Sequence, residues 1–136
     1  MATKVFINLP VKDLERTMTF FTGLGFTFNP QFSDDKAACM GVSDSIFVMM
    51  LTEEYFKTFT RKDVSDARKA TEVLIALDAE SKEEVERLVA QAGALGATVY
   101  ADPQDYGWMY QHSFADLDGH QWELVYMDVS KMPGQD

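Results

Sequence analysis

The chain has 136 residues, 46% of them hydrophobic, and carries 22 acidic against 12 basic residues for a formal net charge of -10. That length suits one compact domain rather than two independently stable ones, and apolar segments punctuated by Gly, Pro and Asp exclude a disordered chain. The acidic surface repels a phosphate backbone, and no apolar run approaches the roughly 20 residues that span a bilayer, so the expected partner is a small molecule, with no nucleic acid and no membrane.

The N-terminal MATKVFINLP enters a strand-like pattern without the long apolar core of a signal peptide, which points to the cytoplasm. VFINLPV reads as a strand. In KDLERTMTFFTGLGF, Leu14, Met18 and Phe21 recur at helical spacing, with Asp13 as cap and Gly23 or Gly25 as stop. TFNPQF, AACMGV and SIFVMML follow as three short strands separated by turn material. The single cysteine, Cys39, rules out an intrachain disulfide and reads as a small buried hydrophobe, because nothing near it supplies a base.

Residues 53–70 are charged with scattered aromatics and read as a connector containing a short helix. EVLIALD is then a strand. SKEEVERLVAQAGALG is the clearest helix: Ser81 and Glu84 form a capping box, Val85, Leu88, Val89, Ala92 and Leu95 make one apolar stripe, and Gly96 ends it. TVYADP, WMYQHSF and HQWELVYM complete the chain as strands. Both halves therefore read β-α-β-β-β, an internal repeat of module one (about 1–52) in module two (about 71–130). The expected alignment sets Leu9-Pro10-Val11 against Ile75-Ala76-Leu77, and SDSIFVMML against DLDGHQWEL. The fold class is α+β: paired βαβββ modules forming a curved mixed sheet with a cleft, helices outside.

This order of elements, with NLPVKDLERTMTFFTGLGF at one end and DLDGHQWEL at the other, resembles the glyoxalase, bleomycin-resistance and extradiol-dioxygenase (vicinal oxygen chelate) superfamily over nearly the whole chain. The stretches PQDYGWMY and DLDGHQWE are similar to those of a lactoylglutathione-lyase-like subgroup. The resemblance implies a homodimer, and in metal-dependent members one His, Glu or Gln from the first and last strand of each module holds a divalent cation. Carried over, those positions fall on Phe6, Met50 (Met49 if the register slips), Glu72 and Glu123. Phenylalanine cannot ligate and a thioether is a poor partner for a hard or borderline cation. Glu72 and Glu123 alone fall short of a catalytic zinc site or an oxygen cage. A divalent metal would need His112 or waters to complete its shell, so none is the favoured expectation.

Strand alternation gives an independent reason to place Glu123 and Glu72 on the open side. Trp122, Leu124 and Tyr126 share one face of QWELVYM and Glu123, Val125 and Met127 the other; Val73, Ile75 and Leu77 likewise oppose Glu72, Leu74 and Ala76. Two acids facing each other would push their pKa values apart and could serve as proton donor and acceptor beside a carbonyl. The alternatives are that Glu72 reaches solvent and that Glu123 is held by backbone or Tyr as a remnant of the fold. Phe6, Asn8, Met50, Tyr106, Trp108 and His112 complete an aromatic, soft pocket lining, although Met and Phe also suit a core or a dimer interface, and His112 could face either cleft or helix. Three functions stay open: a metal-assisted lyase like lactoylglutathione lyase, a metal-free isomerase with Glu123 as base, and a non-catalytic protein that binds a drug or metabolite.

Overall fold

A computed structural model describes residues 1–134, in two compact units, Met1–Ser65 and Asp66–Asp136. In the first unit the β-branched opening run forms β1 (Val5–Val11) and feeds helix α1 (Leu14–Gly23). The Asp13 carboxylate accepts the Arg16 N–H at 3.1 Å, satisfying one of the orphan donors of the first turn. Strands β2 (Thr27–Asn29), β3 (Ala37–Gly41) and β4 (Ile46–Thr52) follow, then the short helix α2 (Glu53–Lys57). TFNPQF is strand only as far as Asn29; Pro30 has no N–H to give a ladder, and Pro30–Phe32 turns instead as a 3-10 helix capped by Asn29.

The sheet order is β1-β4-β3-β2, with β1 parallel to β4 and the remaining pairs antiparallel. Alternation buries Leu9, Val11, Ala38, Met40, Val48 and Met50, and α1 brings Leu14, Phe20 and Phe21 to the same core. The opposite face carries Phe6, Asn8, Cys39 and Met49. Burial pushes the Cys39 thiol above its ordinary pKa, in keeping with an inert hydrophobe.

In the second unit β5 (Leu74–Asp78), helix α3 (Lys82–Ala94), β6 (Gln104–Asp105), β7 (Met109–Ala115) and β8 (Gln121–Met127) repeat the plan, ordered β5-β8-β7-β6 with β5 parallel to β8. Val85, Val89 and Ala92 of α3 are buried along with Ile75, Tyr110, Phe114, Trp122 and Leu124. Ser81 accepts the Glu84 N–H at 3.0 Å, while the Glu84 carboxylate reaches the N–H of Glu80 at 2.8 Å, one residue ahead of the cap itself. TVYADP does not form the strand expected of it. It makes one bridge, Thr98 to Ala115, and the short β6 begins only after Pro103. The α+β class and the doubled βαβββ order are thus those read from the sequence, realised as two four-stranded mixed sheets.

Candidate functional site

The two hairpins that close the units have the same length, which fixes how the repeat aligns. The last pair of β3–β4 is Gly41 with Phe47, and that of β7–β8 is Ala115 with Gln121. Met49 is therefore the counterpart of Glu123, and because Asn8 pairs with Met49 as Ala76 pairs with Glu123, Phe6 is the counterpart of Leu74. The sequence alignment slips by one residue in β4 and by two in β5. A one-residue slip exchanges the faces of a strand; a two-residue slip keeps the face and changes the residue.

Those slips correct two of the expected site residues. Met50 is 0% exposed under α1, on the buried side of the sheet, so it lines no open surface; Met49 stands there in its place. Glu72 lies two residues ahead of β5 and is exposed, and the residue that pairs with Glu123 is Ala76. Glu72 and Glu123 do not form an acid pair.

Glu123 itself lies where alternation puts it, opposite the buried Trp122 and Leu124. Its Oε2 accepts the Gln111 side-chain N–H at 2.9 Å. It sits on the floor of a cavity of about 310 Å³ with Leu74, Gln111, Ser113 and Gln121, walled by the segment that carries Ala101, Asp102 and Gln104. Two of the glutamines are oriented by hydroxyls: Thr71 donates to Gln121 Oε1 at 2.7 Å and Tyr106 to Gln104 Oε1 at 2.6 Å, which leaves their amide nitrogens to donate elsewhere. The floor thus offers one carboxylate among amide donors and acceptors. Gln111 and Ser113 carry no motif of their own in the sequence; their one signal is that they alternate with His112 along β7, which puts them on the face that Glu123 shares.

His112 lines the same cavity. It pairs with Leu124, shares the parity of the buried Tyr110 and Phe114, and brings its Nε2 within 3.0 Å of the Ala101 carbonyl, tying the cavity wall to β7. Tyr106 and Trp108 occupy the turn between β6 and β7 and are not among the residues that line the Glu123 cavity; Tyr106 acts one step away, through Gln104, and the Trp108 carbonyl accepts the Asp128 N–H at 2.7 Å. Tyr110 packs toward α3, its hydroxyl 3.2 Å from Glu86 and its ring 4.8 Å beneath the Lys82 ammonium. Phe6 is 54% exposed and stacked on Phe47 with ring centroids 5.0 Å apart. Asn8 lines a separate cavity in the first unit.

The turn before Glu123 is locked by a buried acid. Asp116 is 6% exposed; its Oδ1 accepts the N–H groups of Asp118 and His120 at 3.0 Å and its Oδ2 the Trp122 indole N–H at 2.9 Å. Gly119 turns the chain at φ +92°, where an added Cβ would lie 2.8 Å from the Arg68 backbone nitrogen. The opening acid of DLDGHQWEL is thus structural, and Gln121 and Glu123 are the residues of that motif that line the cavity.

A family model described as bleomycin resistance protein-like N-terminal matches residues 3–43. Similar solved structures extend the likeness to nearly the whole chain. A hypothetical protein from S. aureus is 28% identical with TM-score 0.79, covering 93% of this chain and 95% of its own. A glyoxalase/bleomycin resistance protein/dioxygenase family enzyme from Burkholderia phytofirmans PsJN is 18% identical with TM-score 0.74, covering 90% and 96%. A bleomycin resistance determinant encoded on the transposon Tn5 is 18% identical with TM-score 0.64, covering 92% and 98%. The fold is that of the glyoxalase/bleomycin resistance proteins. No curated protein matches the sequence.

The glyoxalase/bleomycin resistance fold raises the question of a metal, and the donor set here does not fit one. At the four strand positions that the resemblance names, the corrected alignment leaves Phe6, Met49, Leu74 and Glu123, a single oxygen donor. Among the described residues no three His, Cys, Asp or Glu side chains come together as a cation would require. Nor is any helix among the described residues long and apolar enough to cross a membrane.

Proposed function

We propose that this chain, with its glyoxalase/bleomycin resistance fold, binds a small neutral or cationic molecule over Glu123 without the help of a metal. The observation that carries this reading is the Glu123 carboxylate, fixed by Gln111 on the floor of a 310 Å³ cavity that also presents the Asp102 carboxylate, His112, Ser113 and the amides of Gln104, Gln111 and Gln121. A cavity of that size accepts a metabolite or drug fragment, and convergent polar groups set its orientation. A carboxylate in a partly dry site favours an ammonium, guanidinium or amide N–H over an anion such as a phosphate.

The second reading is a metal-free isomerase with Glu123 as general base. What favours it is that one oxygen is held by Gln111, while Oε1 has no protein partner among the described residues and is left to take a proton from a ligand C–H or O–H. A lactoylglutathione-lyase-type reaction is the weakest candidate, since a single oxygen donor is too few to hold a metal that would polarise the substrate. On the resemblance and the single cysteine, we take the protein to work in the cytoplasm as a homodimer.

The test is a thermal-shift screen with matched amine, guanidinium, amide and carboxylate compounds, run on the wild type and on Glu123→Gln. Stabilisation by cations that the variant loses is expected, since a ligand at 100 times its Kd raises stability by about 2.7 kcal/mol. Equal stabilisation of both proteins, or stabilisation by carboxylates alone, would refute the reading. If a ligand found this way is turned over and Glu123→Gln binds it but leaves it unchanged, the isomerase reading replaces simple binding.

A further inference from the structure

The repeat duplicates more than the fold. The first unit has its own cavity, about 360 Å³, on the open face of its sheet, and its floor residues Ala37 and Met49 are the counterparts of Gln111 and Glu123. Its wall is likewise a segment clipped to the sheet: the Ser33 hydroxyl donates to the Asn29 carbonyl at 2.6 Å and accepts the Cys39 N–H at 3.1 Å. Yet the chemistry is the opposite of that around Glu123. Met49 and Leu51 form a soft apolar floor, and the rim carries Phe32, Tyr55 and Phe59.

Two of those rings are left unusually open. Phe32 is 64% and Phe59 69% exposed, although both border a concave surface that would hide them if it were filled. Phe59 is also held in place, its ring edge-on to Tyr55 with centroids 5.0 Å apart, and α2 is fixed by Thr52, which accepts the Tyr55 N–H at 3.3 Å. The polar groups at the rim are acceptors or amides: Asp34, Asn8 and Gln31. Asp34 already uses Oδ1 to accept the N–H groups of Lys36 and Ala37 at 2.8 and 3.0 Å, so its charge is fixed at the rim by the backbone rather than by a lysine or arginine.

We propose that this cavity is a second, separate ligand site, which takes a flat aromatic cation with its ring between Phe32 and Phe59 over Met49 and its charge toward Asp34. Aromatic faces attract both flat rings and cations, a thioether adapts its shape to them, and an overall charge of -10 favours a positive guest. The volume is sufficient for two or three fused rings and too small for a protein segment of any length.

Fluorescence titration with proflavine, a planar tricyclic cation, tests the proposal, with anthracene carboxylate as the tricyclic anion of similar size. Saturable proflavine binding is expected, roughly tenfold weaker in Phe59→Ala and in Phe32→Ala, the loss appropriate to one stacked ring, and weaker in Asp34→Asn. Because both phenylalanines are exposed, their truncation leaves the core intact, which the far-UV spectrum and unfolding midpoint of each variant would verify. The proposal fails if proflavine does not bind, if anthracene carboxylate binds as well, or if the phenylalanine variants bind like wild type. Loss of proflavine binding in Glu123→Gln alone would also overturn it, by placing the dye in the other cavity.

Discussion

Replacing Asp116 by Asn tests the argument that the acid of DLDGHQWEL is structural. The change is nearly isosteric and keeps one oxygen for the N–H groups of Asp118 and His120. It puts an amide N–H2 where Oδ2 meets the Trp122 indole N–H, so two donors face each other in a site with almost no access to water. An unsatisfied buried donor costs about 1–3 kcal/mol, so Asp116→Asn should lower stability by roughly 2 kcal/mol. At roughly 3–6 °C per kcal/mol for a chain of this size, the midpoint should fall by about 6–12 °C. Asp116→Ala removes all three acceptor contacts and should cost more. Trp122→Phe removes the offending indole N–H, so it should cost less when combined with Asp116→Asn than it does in the wild type. Urea unfolding followed by far-UV circular dichroism on the four proteins of the cycle measures that coupling. Wild-type stability in Asp116→Asn, or strictly additive effects in the cycle, would refute the claim that the carboxylate holds the turn through the indole.

Four further outcomes follow from the same geometry. Burial pushes the Asp116 carboxyl above the usual carboxylate range, with His120 and the Trp122 and backbone donors pulling it back. A raised folded pKa means that the folded state keeps its proton longer than the unfolded one, so wild-type stability relative to Asp116→Asn should fall as pH rises above the ordinary carboxylate pKa of 3.8, measured by urea midpoints through the acid range; a difference that rises instead would reverse the sign of this reading. Met50→Ala should cost roughly 2–5 kcal/mol and Met49→Ala much less, because only the former empties space in the core; equal losses in urea unfolding would contradict the face assignment. Gly119→Ala combines a left-handed φ with a clash against the Arg68 backbone and should destabilise by roughly 1–3 kcal/mol in the same assay. Treatment with a chelator should leave the thermal midpoint unchanged and elemental analysis should find no stoichiometric divalent metal; a midpoint that drops and returns with added zinc or nickel would overturn the reading of the donor set.

The fold was legible because the features that specify it are local and redundant. Asp13 and Ser81 cap their helices, Gly25 and Gly96 turn the chain just past their ends with φ of +104° and +107°, and apolar residues recur at the period of each element. The site was legible only in part. Period-two alternation placed Glu123 correctly, since parity alone decides the face of a strand. Register is another matter: SDSIFVMML and DLDGHQWEL look alike as turn-plus-strand, and nothing in either string says whether Met49 or Met50 stands opposite Asn8. That information resides in hydrogen bonds between strands far apart in sequence. The cavity walls were invisible for a related reason. Residues 30–34, a single 3-10 turn and its exit, and the irregular 100–103 follow no strand or helix period, and what ties them to their sheets is a single serine hydroxyl in one case and a histidine in the other.

The two hairpins show why the fold does not by itself name the function. In both, the same backbone bond closes the turn, Val42 N–H to Ile46 carbonyl at 2.9 Å and Asp116 N–H to His120 carbonyl at 2.8 Å. At the first of these positions one copy has an aliphatic side chain and the other a buried carboxylate that binds the indole of Trp122, the second residue of the strand that follows. One step past that indole, the open face presents Glu123 where the first copy presents Met49. The backbone therefore dictates that these positions look outward onto a cavity, whereas residue identity decides whether the cavity floor is an anion among amides or a thioether among rings. A ligand search guided by the fold alone would look for one chemistry, while the two floors call for two: a hydrogen-bonding or cationic group over Glu123, and a flat apolar surface over Met49.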